Sequence, residues 1–159
     1  MAELFEVAEL VKVAVEDERT GVAFYSAMAK KVKDEQMRKT FAELAEQEKF
    51  HQRRFEQMLA DLGGVRQGEE YPGEYLAYLQ ALTGDRAFPD EQTALQMVKE
   101  CKDDHAALAL ASRFERDTLM LMNEMRRLVP ERDKPVVDEL ASEEQAHLVA
   151  LAEARAKLK

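Results

Sequence analysis

Two histidines, each preceded three residues earlier by a glutamate, are the residues of this chain best placed to do chemistry. Residues 43 to 51 read ELAEQEKFH and residues 139 to 147 read ELASEEQAH, so Glu-Leu-Ala-x-x-Glu-x-x-His occurs twice at an offset of 96. On a helix, Glu48 and His51, like Glu144 and His147, share one face and lie ~4.5 Å apart along the axis. A carboxylate and an imidazole so placed can grip one metal ion. Neither pair supplies enough ligands alone, so others must come from neighbouring elements.

Hydrophobic periodicity predicts those elements. From Glu3 to about Lys33, Leu4, Val7, Val11, Ala14, Glu18, Val22, Tyr25, Ala29 and Val32 recur at spacings of three and four, the stripe of an amphipathic helix. Glu18 is the one charged member. Asp34 reads as the N-cap of a second helix over about 35–62, with stripe Phe41, Leu44, Glu48, His51, Phe55, Met58 and Leu62, ended by Gly63-Gly64. Between about 63 and 103 the residues Gly68, Pro72, Gly73, Gly84 and Pro89 interrupt the pattern, leaving room for short helices near 74–82 and 91–101. Such a segment suits a crossover that carries the chain back along a bundle. Asp103 or Asp104 caps a third long helix over about 104–129, with stripe Leu108, Ala111, Glu115, Leu119, Met122, Met125 and Val129. After Pro130 and Pro135 a last helix, about 133–158, carries Val137, Leu140, Glu144, His147, Leu151, Ala154 and Leu158.

The repeat is wider than the nine residues. Residues 18–25 (ERTGVAFY) align with 115–122 (ERDTLMLM) at an offset of 97, so each half is a helix with a central Glu followed by a helix with Glu-x-x-His. The expected architecture is all-α: a single domain over 1–159, a four-helix bundle with a long crossover between helices 2 and 3.

Composition agrees and excludes several functions. The 159 residues are 46% hydrophobic and 35% charged with only six Gly and four Pro, which fits helices with solvated outer faces. No apolar run reaches the ~18 residues of a membrane span, and the acidic start MAELFEVAEL lacks a signal peptide's basic n-region. The expectation is a cytoplasmic protein that engages no membrane. A net charge of -9 opposes nucleic-acid binding. Cys101 is the single cysteine, which rules out a four-Cys metal site within this chain.

Glu18, Glu48, His51, Glu115, Glu144 and His147 therefore sit on core stripes, where each charge costs several kcal/mol unless paired or bound to metal. Two divalent ions offset four carboxylates, and mixed oxygen and nitrogen ligation suits iron or manganese better than calcium or magnesium. Glu16, Asp17, Glu46, Asp117 and Glu143 fall off the seam and read as solvated surface.

This pattern resembles the ferritin-like superfamily, in which two helices give a Glu and two give Glu-x-x-His. The strings ERTGVAFY and ELAEQEKFH are most similar to the rubrerythrin di-iron domain, and the resemblance covers nearly the whole chain. It implies that Glu18 and Glu115 are terminal ligands, that Glu48 and Glu144 bridge two iron ions, and that His51 and His147 each cap one, with manganese or zinc as alternative metals. It also implies that Tyr25 is hydrogen-bonded near the cluster; a plain core aromatic is the competing reading. The implied activity is reduction of hydrogen peroxide or dioxygen, in a homodimer. Two departures stand out. Rubrerythrins usually carry a further Glu three residues after the third-helix ligand, where this chain has Thr118, bringing the ligand set closer to that of bacterioferritin. The four-Cys rubredoxin domain of full-length rubrerythrins has no counterpart here, so an external donor such as a rubredoxin-like protein is expected. Ferroxidase or storage activity in a ferritin-like assembly, and a non-catalytic metal-binding bundle, are the alternatives.

Among other candidates, His105 is expected at the surface, Met120, Met122 and Met125 read as core residues, and Cys101 as inert. The crossover stretch YPGEYLAYL is expected to pack on the bundle or on a second copy.

Overall fold

The computed structural model describes residues 2–63 and 73–158, and every regular element among them is an α-helix. The long helices are α1 (Ala2–Lys31), α2 (Glu35–Asp61), α5 (Asp104–Leu128) and α6 (Lys134–Lys157); the crossover holds α3 (Gly73–Gly84) and α4 (Glu91–Glu100). The predicted bounds of the long helices hold to within two residues. Gly64, Gly68, Tyr71 and Pro72 lie outside the described residues, as do the side chains of Leu4 and Tyr75.

Local chemistry fixes the ends. Asp34, Asp90 and Asp103 each accept from the backbone N–H three residues on, at 2.9, 2.7 and 2.8 Å, and such a cap is worth ~1 kcal/mol. After α2, Gly63 adopts φ +84°, a left-handed conformation that disfavours any side chain. Asp104 accepts from the backbone N–H of Lys33 (3.3 Å) and Asp34 (3.1 Å), tying the α1–α2 turn to the start of α5. Lys31 Nζ donates to Val98 O (2.7 Å) and Lys99 O (2.6 Å), a cation on the carbonyls that end α4.

The core comes in two parts. One gathers Phe24, Tyr25, Met28, Phe41, Leu44, Phe88, Leu108, Phe114 and Leu151. The other gathers Val7, Leu10, Val11, Phe55, Met58, Leu121, Met122, Met125, Val137 and Leu140. Fully burying each large apolar side chain contributes ~1.5–3 kcal/mol. Between the two parts every long helix carries a charged or imidazole residue: Glu18, then Glu48 and His51, then Glu115, then Glu144 and His147.

This layering also gives the helix directions. Helices α1 and α6 run from the second apolar cluster to the first, whereas α2 and α5 run the other way. Two consecutive parallel helices need a connection that returns along the bundle, the physical reason for the crossover. Its later part is anchored by Ala87, Phe88, Ala94 and Val98, all buried in the first cluster. Among the described residues no helix is long and apolar enough to cross a membrane.

Candidate metal centre

All six residues expected on the charged layer are buried: Glu18, Glu48, His51, Glu115 and Glu144 at 0% exposure and His147 at 2%. They form two overlapping groups, Glu18, Glu48, His51, Glu144 and Glu48, Glu115, Glu144, His147, in each of which one ligand atom per residue lies within 4.8 Å of the others. Glu48 and Glu144 belong to both.

The oxygens divide accordingly. His51 Nδ1 lies 2.6 Å from Glu144 Oε1, 3.6 Å from Glu48 Oε2 and 3.7 Å from Glu18 Oε2. His147 Nδ1 lies 2.8 Å from Glu144 Oε2, 3.4 Å from Glu48 Oε1 and 3.4 Å from Glu115 Oε2. Each shared carboxylate thus turns one oxygen towards each imidazole. The two rings stack with centroids 5.4 Å apart and planes 14° from parallel.

Both rings use Nδ1 towards the cluster because Nε2 is held from outside. His51 Nε2 donates to Glu143 Oε2 at 2.6 Å, and His147 Nε2 donates to Gln47 Oε1 at 2.5 Å. Tyr25 is fully buried and its hydroxyl donates to Glu115 Oε1, so the tyrosine is bonded to a cluster carboxylate rather than being a plain core aromatic. Its ring packs against Phe24, Phe41 and Phe114. Gly21 admits this packing: a Cβ there would stand 2.9 Å from the Phe114 ring and 3.3 Å from Glu48 Cγ.

Electrostatically the layer is a trap for positive charge. Burial, then the neighbouring carboxylates, raises Glu18 and Glu115 well above the usual range. Burial alone lowers the imidazoles, but the surrounding carboxylates more than reverse this, lifting His51 strongly and His147 to about 12. Burial also opposes ionisation of Glu48 and Glu144, yet contact with the other cluster groups, both imidazoles among them, holds them low. Without a bound cation, the cluster retains protons in its place.

The decisive test of fit is hydrogen bonding. Both oxygens of Glu18, Glu48 and Glu144, one of Glu115, and both histidine Nδ1 atoms are buried with no hydrogen-bond partner. Nine such atoms pointing at one another are costly unless protons or a cation lie between them, and a divalent cation satisfies oxygen and imidazole nitrogen together.

A family model described as rubrerythrin matches residues 9–155, which is most of the chain and includes all six residues. The chain belongs to the rubrerythrin family. Neither the curated proteins nor the solved structures give a match. Within this rubrerythrin domain, the position where the family usually has a further glutamate holds Thr118, 2% exposed, whose hydroxyl donates to Phe114 O at 3.2 Å. Its side-chain hydrogen bond is spent on its own helix.

Three residues read as solvated surface are not. Asp17 is 5% exposed and pairs with Arg86 of the crossover; burial lifts its carboxyl to about 7, against the pull of Arg86. Asp117 is half-buried and accepts from Ala87 N at 2.6 Å. Glu143 is half-buried against His51. The crossover covers the outer faces of α1 and α5 at Asp17 and Asp117, which helix periodicity alone leaves in solvent. Glu16 and Glu46 are exposed as expected, pairing with Arg19 and Lys49. Met120 is another correction: it is 46% exposed, whereas Met122 and Met125 are buried. His105 is exposed, and Cys101 donates to Asp103 O at 3.4 Å with burial raising its thiol, a weak nucleophile. Of the crossover tyrosines, Tyr78 is 40% exposed.

Glu143 and Gln47 are the functional residues that helix periodicity missed. Each directly precedes a cluster glutamate, at the flank of the seam, and each reaches the histidine of the other half. The signal in the sequence is only an acceptor-bearing side chain four residues before each histidine.

Proposed function

We propose that this chain is a non-haem di-iron oxidoreductase of rubrerythrin type that reduces hydrogen peroxide or dioxygen with electrons from an external donor. The observation that carries the reading is the pair of four-residue groups sharing Glu48 and Glu144, with their nine unpartnered atoms. In this reading Glu18, Glu48, Glu144 and His51 hold one ion and Glu115, Glu48, Glu144 and His147 the other. Four carboxylates balance two divalent cations. Bound ferrous ions supply one electron each, the two that convert one peroxide and two protons into two waters.

The chain's own residues do the positioning. Tyr25 fixes one oxygen of Glu115, Glu143 and Gln47 fix the ring planes of the histidines, and the apolar clusters on either side keep bulk water from the layer. A rubredoxin-like protein is the proposed donor, a homodimer the proposed assembly and the cytoplasm the proposed location.

The test is anaerobic reconstitution with ferrous iron followed by stopped-flow mixing with peroxide or dioxygen. We expect about two irons per chain and a rise in near-ultraviolet absorption that is faster with peroxide. Far fewer irons, or no optical change with either oxidant, would overturn the proposal. Thr118 is the observation that favours a second reading, ferroxidase activity in a storage assembly. A shell-sized particle in size-exclusion chromatography would support that reading, and a dimer would oppose it.

A further inference from the structure

The two imidazoles are held from outside by different chemistry. His51 donates from Nε2 to a carboxylate, Glu143, and His147 donates from Nε2 to a neutral amide, Gln47. Both acceptors occupy the same place in the repeat, immediately before the shared glutamates, and each crosses to the opposite half. The pair is a matched site with one charge difference.

We infer that Glu143 and Gln47 are positioning residues that make the two metal positions unequal, the position at His51 binding a divalent ion more tightly than the position at His147. A carboxylate accepting the Nε2–H pulls electron density towards Nδ1 and makes that nitrogen the better donor to a cation. An amide oxygen orients the ring but adds no charge. Outer partners of ligating histidines change metal affinity by roughly 10- to 100-fold. Glu143 is the better placed to act because its side chain is only 37% exposed, while the imidazole it holds is fully buried. The inference rests on the proposed di-metal reading.

Shared carboxylates separate two binding steps by themselves, since the second ion meets the charge of the first. The test is therefore which step moves. Metal-free protein is titrated with cobalt(II) and followed by calorimetry and visible absorption, for the native chain, Glu143→Gln, Gln47→Glu and the double exchange. Glu143→Gln is expected to weaken the first, tighter step about tenfold and leave the second in place. Gln47→Glu is expected to tighten the second step by a similar factor, and the double exchange to restore two steps of native strength. Because Glu143→Gln preserves size and lies at the bundle surface, an unchanged far-ultraviolet circular dichroism spectrum of the metal-free form checks that the fold is intact. A first step that stays within about twofold in Glu143→Gln, or a shift confined to the second step, overturns the inference while leaving the di-metal reading standing. A native chain that binds no cobalt overturns both.

Discussion

The half of the bundle built from α1 and α2 and the half built from α5 and α6 present the same three cluster groups, and differ at several residues close to them. Glu18, Glu48 and His51 correspond to Glu115, Glu144 and His147. Tyr25 bonds to Glu115, yet its counterpart Met122 is buried among apolar neighbours. Gly21, which leaves room for Phe114, corresponds to Thr118, which bonds to its own helix. Phe114 itself corresponds to Asp17, the partner of Arg86. Buried charges that converge on one point constrain one another, because losing any of them leaves the rest unbalanced. Residues one or two turns away are free of that mutual constraint, and they differ between the halves: one side donates through Tyr25, the other is apolar at Met122.

The largest effects should be blind to this difference. Glu48→Ala and Glu144→Ala, one from each half, each remove a group common to both sites, and elemental analysis after iron loading should find both ions lost. Glu18→Gln and Glu115→Gln remove a group belonging to one site only, so each should retain about one ion per chain. If Glu144→Ala lost one ion and Glu48→Ala two, the shared roles would be unequal.

Proton occupancy gives the next effect. His147 is lifted from 6.5 to about 12, so the stability it adds to the metal-free fold is complete below pH 6.5 and is lost as pH rises towards 12. Glu18 and Glu115, also raised, act in the same direction. The metal-free melting temperature should therefore fall between pH 6.5 and about pH 9. Metal affinity should rise over the same interval, because each ion displaces protons. A metal-free melting curve that is flat with pH would mean that the cluster holds no extra protons.

Smaller effects should separate the halves. Tyr25→Phe strands a buried oxygen of Glu115 and should cost ~1–2 kcal/mol in denaturant unfolding. Met122→Leu, at the matching position, should cost less than ~1.5 kcal/mol and leave iron content unchanged. Smallest of all, Glu46→Ala should stay within about 0.5 kcal/mol and bind metal normally. Equal loss of iron in Glu46→Ala and Glu48→Ala would put the phase of α2 in error.

The legible part of the molecule is the part governed by period and by local hydrogen bonds. A carboxylate on an apolar stripe is visible because helical geometry places every third or fourth residue on one face, and so all six cluster residues could be named from spacing. Asp34 and Asp103 declared their caps because the acceptor and the N–H that it satisfies are three residues apart. The Gly and Pro residues between 63 and 103 marked the crossover, since a helix cannot continue through so many of them.

What the sequence by itself determined, then, is the set of helices, their buried faces and the charged layer between them. Tertiary structure alone decided which oxygen of Glu48 and Glu144 faces which imidazole, that Glu143 and Gln47 reach across to the other half, and that Asp17 is buried beneath Arg86. Most of those contacts join residues dozens of positions apart and depend on how far each helix is rotated and shifted against its neighbours. Periodicity specifies a face, whereas rotation within that face is set by packing, and the two overlapping ligand groups become distinguishable only at that level.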